Sequence, residues 1–221
     1  MTPGAQVAAA IQLLDEIERG RAPADDIVAN YFRRHRFAGS SDRGAISGHI
    51  YAVLRHRAAL DWWIAREGQG LAADARHRML AALVLAENWT PRDIDEAWDG
   101  DRFRPAPLAL QERELVDALV GEALERPSMP AAVRGNFPDW LHPYLERAFG
   151  GRLHEEMAAL NTEAALDLRV NRLKGDREAA RVALKIEDIK AAPTPWSPLG
   201  LRVRERIPLA TLNAFREGLL E

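Results

Sequence analysis

Guanidinium groups are what this sequence supplies in quantity: 27 of its 30 basic residues are arginine, and its three lysines stand at 174, 185 and 190. Arg33, Arg34, Arg36 and Arg43 crowd the stretch that begins RRHRF at residue 33, and Arg55 and Arg57 follow. A guanidinium presents a planar fork of N–H donors that fits two phosphate oxygens, so such a cluster suits a nucleic-acid backbone. It reads equally well as a solvated basic loop. A second set lies in LDLRVNRLKG, residues 166–175, where Arg169, Asn171 and Lys174 fall off the apolar positions Leu166, Leu168 and Val170 or in the loop beyond them. Trp196 sits in the proline-bracketed loop PTPWSPLG, from which an indole could stack on an unpaired base or fold back onto its own sheet.

Covalent and metal chemistry find no comparable constellation. The six histidines, at 35, 49, 56, 77, 142 and 154, form no HxxxH pair and no carboxylate-flanked zinc pattern. The chain has no cysteine, which excludes disulfides, thiolate metal sites and cysteine nucleophiles within these residues. No Gly-rich phosphate loop follows a strand, and the acidic DIDEAWDGD lacks calcium-loop spacing and reads as a solvated helix end. The expectation is therefore of no catalytic, cofactor-binding or metal-binding residue. GAISG, residues 44–48, reads as a small-residue pair for close helix packing, and Trp62, Trp63 and Trp140 as core or interface residues.

The elements that carry these residues follow from hydrophobic period and punctuation. Val7, Ile11, Leu14 and Ile17 recur at helical spacing and Gly20 stops them; residues 24–32 repeat the pattern. Asp42 is expected to cap a long helix running through Ile46, Ile50, Val53, Leu60 and Ile64 to Gly68. Residues 71–88, nearly apolar all round, predict a central buried helix. Thr90 before Pro91 opens a short acidic helix, and residues 108–124 make another. Prolines between residues 126 and 143 forbid a continuous helix and suggest a boundary, with two brief helices at 140–149 and 152–160 as a connector. The period then changes to two. LDLRVN reads as a strand, DREAARVALKI as a helix opened by Asp176, DIKAAPT and GLRVR as strands, PLATLNAF as a short helix and GLLE as the start of a last strand. That order is βαββαβ, the ferredoxin-like arrangement. The expected fold class is mainly α: an all-helical domain over 1–128, a helical connector over 129–160 and a small α+β subdomain over 161–221.

Composition agrees with this. The 221 residues allow one or two domains, and 47% hydrophobic with 29% charged residues is ordinary for a packed globular chain. There is no apolar run of about 18 residues and no signal-peptide pattern, so a cytoplasmic protein without a membrane partner is expected. The net charge of −3 conceals segregation: residues 29–66 carry seven arginines against Asp42 and Asp61, whereas residues 93–125 carry ten acids against three arginines. One region could face phosphate while the other repels it.

Three stretches resemble the Sun/Fmu family, the RsmB-like bacterial enzymes that make 5-methylcytosine in small-subunit ribosomal RNA. DRGAISGHIYAVLRHRAALDWWI, residues 42–64, is similar to the marker helix of the family's NusB-like N-terminal domain. FPDWLHPYLERAFG, residues 137–150, looks like its connector. ALDLRVNRLKGDREAA, residues 165–180, with PTPWSPLGLRV and AFREGLLE, resembles its small RNA-binding subdomain, although Ala165 stands where relatives often have proline. The resemblance implies RNA, small-subunit rRNA above all, as partner, with Arg169, Asn171 and Lys174 as first contacts, Arg33, Arg34, Arg36 and Arg43 as second on charge, and Trp196 as a stacking residue. It implies too that AFREGLLE runs on into a C-terminal methyltransferase domain that binds S-adenosylmethionine and acts through two cysteines, so these residues are expected to be a cut, inactive portion. The alternatives are a free-standing NusB-like module that binds RNA or protein in transcription, and a helical domain that only braces the enzyme.

Overall fold

The computed structural model describes residues 1–20, 22–204, 207 and 209–221. The chain divides into two compact units, Met1–Asn161 and Thr162–Glu221.

The first unit is all helical. Helix α1 (Pro3–Glu18) begins where Thr2 Oγ1 accepts the Ala5 N–H and Pro3 supplies the preset φ of a first turn. It buries Val7, Ala10, Leu13 and Leu14. Helix α2 (Ala24–Arg34) runs two residues beyond the expected end, with acids in its first turn and Arg33 and Arg34 in its last, both favourable to the helix dipole. Helix α3 (Ser40–Glu67) is the long one and stops at Gly68 as expected. Its cap differs: the chain turns in at Gly39, and Asp42 sits three residues inside, its carboxylate accepting from Gly39 N, Gln6 Nε2 and the Met1 amino group. Those bonds hold the Asp42 carboxyl below the usual carboxylate range.

Helix α4 (Ala75–Leu85) is buried along its whole length, the central helix that its apolar run predicts, and packs against α3, α1 and α6 (Leu110–Leu119). Its two arginines, Arg78 buried and Arg76 partly exposed, are both compensated. Arg78 forks onto Asp61 at 2.6 and 3.1 Å and reaches Glu18 at 2.5 Å; Arg76 binds the buried Glu112 of α6 at 2.6 and 3.0 Å. Helix α5 (Pro91–Ala97) is capped by Thr90 with Asp93 reaching back to the Thr90 N–H, the reciprocal box that its sequence predicts. Close helix packing falls at Gly4: a Cβ there would lie 2.3 Å from the Ala97 carbonyl oxygen. GAISG is a correction, because a Cβ on Gly44 or Gly48 would meet nothing within 4 Å. Trp63 is buried with its indole N–H on the Leu124 carbonyl and Trp62 packs partly against the same core, whereas Trp140 is exposed.

The proline-rich stretch holds a one-turn helix α7 (Ala131–Gly135), followed by α8 (His142–Phe149) and α9 (Leu153–Leu160). Asn136 fastens α7 to the middle of α3. In a left-handed conformation that asparagine tolerates, it accepts the Ala58 N–H at 3.0 Å and donates to the Leu54 carbonyl at 3.4 Å. Residues 129–160 thus belong to the helical unit.

The second unit switches to a sheet. Strands β1 (Leu166–Arg169), β2 (Ala191–Pro193) and β3 (Gly200–Val203) form an antiparallel sheet in the order β1-β3-β2. Leu220 bridges Val170 on the free edge of β1, where Arg169 and Glu221 exchange both backbone hydrogen bonds. With residues 220–221 in the place of a fourth strand on the outer edge of β1, this antiparallel arrangement is that of the ferredoxin-like fold expected from βαββαβ, although only three strands are formed. Helix α10 (Arg177–Ile186) opens on Asp176, which accepts the Ala179 N–H at 2.8 Å, and buries Ala180 and Leu184 against Leu168, Val170, Leu201 and Val203. Strand β2 is shorter than DIKAAPT because Asp188 adopts a positive φ and Ile189 N bonds back to Leu184 O, so the first residues of that stretch close α10 instead. The expected helix over PLATLNAF is a 3₁₀ turn at Leu209–Thr211 and then α11 (Asn213–Arg216); Pro208 lies outside the described residues.

Candidate nucleic-acid interface

Side chains on β1 alternate as the period of two requires. Leu168 and Val170 enter the core, while Asp167 and Arg169 stand on the open face. That face is self-neutralised. Arg202, opposite Asp167 in the register, forks onto its carboxylate with two bonds of 2.7 Å, and Arg169 Nε donates to Glu221 at 2.7 Å. Each arginine is stabilised in its charged form by its acid, and each acid is held below its ordinary range by the arginine's hydrogen bond. A phosphate approaching Arg169 has to compete with Glu221.

Asn171 is occupied too. Its Nδ2 donates to the Gly218 carbonyl at 2.9 Å, its Oδ1 accepts the Leu173 N–H at 3.0 Å, and its backbone oxygen accepts from Lys174 and Gly175. The side chain therefore builds the β1–α10 turn and ties it to residues 218–221. The geometry gives Asn171 a positioning part rather than a free surface.

What that turn presents is basic and apolar at once. Arg172, Leu173 and Lys174 are exposed, Leu173 almost fully, and neither Arg172 nor Lys174 forms an ion pair among the described residues. The neighbouring acids are spent: Asp176 caps α10, and Glu178 binds Arg181. Beside the turn stands the β2–β3 loop. Arg177 donates to the Ser197 carbonyl at 3.3 Å and Val170 N to Leu199 O at 3.0 Å, joining the two loops at one end of the sheet. The β2–β3 loop is closed by Thr194 N on Gly200 O and Thr194 Oγ1 on Ser197 O. Gly200 is required there, because a Cβ would lie 2.0 Å from Thr194 Oγ1. At its tip Trp196 is 95% exposed, so the indole does not fold back onto its sheet. The arrangement offers two cations, an exposed leucine and an upright indole on a hydrogen-bonded scaffold, the parts that track a phosphate backbone and stack on an unpaired base.

In the helical unit the arginine cluster divides. Arg33 and Arg34 are exposed but lean on Asn30 through its side chain and its carbonyl. Arg36 is exposed. Arg43 staples the loop before α3: its Nε donates to Ala38 O at 2.9 Å and its guanidinium lies 5.6 Å from the Phe32 ring centre. Sequence reasoning passed over Arg172, although its place between Asn171 and Lys174 was signal enough, and it passed over Arg177, whose part depends on a carbonyl 20 residues away. Among the described residues, no group of three or more His, Asp or Glu side chains could hold a metal ion, and no helix is long and apolar enough to cross a membrane.

The ferredoxin-like sheet with its basic loop edge lies in the stretch of the chain that resembles the RsmF/B methyltransferase type. Residues 137–210 match the family described as RsmF/B-like methyltransferase, ferredoxin-like domain. Ribosomal RNA small subunit methyltransferase B of Photorhabdus laumondii subsp. laumondii is 30% identical over 81 residues, which are 37% of this chain and 19% of that protein. These matches bear out the Sun/Fmu-like resemblance. Among solved structures, the crystal structure of PH0851 superposes on all of this chain with a TM-score of 0.67 at 16% identity, a likeness of fold. The chain spans 53% of the PH0851 chain, and its match covers about a fifth of the curated relative.

Proposed function

We propose that these residues are the RNA-recognition region of a cytoplasmic S-adenosylmethionine-dependent rRNA (cytosine-C5) methyltransferase, holding RNA for a catalytic domain outside them. The observation that carries this reading is the loop edge of the ferredoxin-like unit, where Arg172, Lys174 and Trp196 are exposed and the loops bearing them are tied together. Attack on cytosine C6 needs a thiolate, and this chain contains no cysteine, so its part is binding and orientation. Its substrate-facing groups are cations and a ring, which fit a single-stranded segment of rRNA better than a duplex, whose bases are already stacked.

The test is fluorescence anisotropy of a labelled single-stranded rRNA fragment against salt. Each lost phosphate contact flattens the log–log slope by about 0.7 for a single strand, so Arg172→Ala with Lys174→Ala should flatten it by about 1.4. Arg169→Ala should change it less, because Glu221 already opposes that charge. Trp196→Ala should weaken binding roughly tenfold at unchanged slope. Wild-type affinity and slope in all these variants would overturn the proposal.

A further inference from the structure

Leu173 is an apolar side chain that the fold of the second unit does not use. It is 95% exposed and lies outside the core built by Leu168, Val170, Leu184 and Leu201. The turn needs only its backbone: the Leu173 N–H donates to Asn171 Oδ1 at 3.0 Å, a bond that any residue but proline makes.

The tip that carries it is braced. Asn171 O accepts from Lys174 N at 3.0 Å and Gly175 N at 3.1 Å, and Asn171 Nδ2 ties the turn to Gly218 O at 2.9 Å. Directly behind it Asp176 opens α10. The packing there is close, since a Cβ on Gly175 would lie 3.0 Å from Leu219 Cδ1. A load on Leu173 therefore passes into β1 and α10. Its sequence neighbours, Arg172 and Lys174, are exposed and form no ion pair among the described residues.

Charge selects the partner and shape selects the action. One leucine between two cations is no patch for a protein surface, which needs contiguous apolar area, but it matches a polyanion whose flat apolar groups lie within reach of its charges. A ring stacks flat on a base and extends the stack, whereas a branched aliphatic chain has no flat face and enters a stack only by parting two bases. We infer that Leu173 is a wedge: with Arg172 and Lys174 on phosphates, it inserts between neighbouring bases of an unpaired RNA segment and opens that step. An opened step frees one base of a neighbour, the state that chemistry on a base ring requires. Taking an exposed leucine out of water returns free energy of the same order as opening one step costs, so the wedge shows in the RNA more than in the affinity. This role rests on the RNA-recognition reading above, and it adds a substrate class, unpaired RNA whose bases are still stacked, and a positioning residue.

The test uses the whole chain with Trp196→Ala as parent, so that no indole quenches the probe, and an unstructured RNA of about 12 nucleotides carrying 2-aminopurine at several positions. That base emits weakly when stacked and brightly when its step opens. Saturation with the parent should raise emission. Leu173→Ala should abolish the rise while changing affinity by about threefold at most, with the salt slope and the melting of the second unit unchanged. Leu173→Met keeps apolar bulk and should keep the rise. Leu173→Lys should steepen the slope by about 0.7 and still lose the rise, which separates holding the strand from opening it. A rise that persists in the Ala and Lys variants, or no rise in a parent that binds, overturns the wedge; the proposed function then stands if Arg172→Ala with Lys174→Ala flattens the slope. Absence of RNA binding by the unsubstituted chain would overturn the function and the wedge together.

Discussion

Replacing Asn171 by alanine tests whether that residue would itself contact RNA under the proposed function or only builds the loop proposed to do so. The change removes two hydrogen bonds, Nδ2 to Gly218 O at 2.9 Å and Leu173 N to Oδ1 at 3.0 Å. At about 1 kcal/mol net for each, the loss is about 2 kcal/mol. For a unit of residues 162–221 this corresponds to a fall of roughly 12 °C in its melting transition, since 1 kcal/mol moves a domain of that size by about 4–8 °C. The damage should be local first. Residues 219–221 are held to the edge at Arg169 and Asn171 by three backbone bonds, so the amides of Arg169, Asn171 and Glu221 that donate them should exchange with deuterium far faster in the variant, while α4 in the helical unit stays protected. RNA affinity should fall with the loop, and Asn171→Asp should not restore it, because a carboxylate cannot donate to Gly218 O and faces that carbonyl oxygen with like charge. Hydrogen exchange by mass spectrometry and anisotropy on the same samples decide the matter. Lost RNA binding with wild-type exchange at Arg169, Asn171 and Glu221 and wild-type melting would refute the positioning argument and make Asn171 a direct contact.

Glu112→Ala should destabilise the helical unit by about 2 kcal/mol in urea titrations, because it leaves the Ala109 N–H without its acceptor and takes the carboxylate from Arg76, which keeps only its bonds to the Ala106 and Pro107 carbonyls. Burial pushes the Glu112 carboxyl up, but the hydrogen bonds from Arg76 and Ala109 outweigh it and hold the group below its ordinary 4.5. A depressed folded-state value means stability that is present above 4.5 and lost as pH falls through the lower folded value, so acid unfolding of the wild type should steepen below about pH 4.5 and Glu112→Gln should remove that component. Gly4→Ala should cost about 1–3 kcal/mol by driving a Cβ into the Ala97 carbonyl, whereas Gly44→Ala, with open space and a helical site, should stabilise by about 1 kcal/mol; thermal melts check both signs. Asp167→Asn should leave Arg202 as a free cation on the open sheet face and raise non-specific RNA affinity at low salt, an effect that vanishes near 1 M salt.

The sequence by itself determined the elements and their class. Thr90 with Pro91 and Asp93, Asp176 before α10, and the exchange of a helical period for a period of two at Leu166 are local signals, and the structure places the elements where those signals stand. The resemblance carried by LDLRVNRLKG pointed to the same type of methyltransferase region that the comparisons support. Tertiary structure alone decided which polar groups are free. Arg169 meets Glu221 across 52 residues, Asn171 meets Gly218 across 47, and the Arg177 bond that steadies the Trp196 loop depends on a turn closed elsewhere. An arginine in a sequence is a charge, and only its neighbours in space determine whether that charge is available. The same reason explains Trp196, Phe37 and Phe103. Their ring type is legible in one dimension, but exposure is a property of the whole packed surface, and a chain that buries Trp63 and Trp98 leaves these three rings facing water.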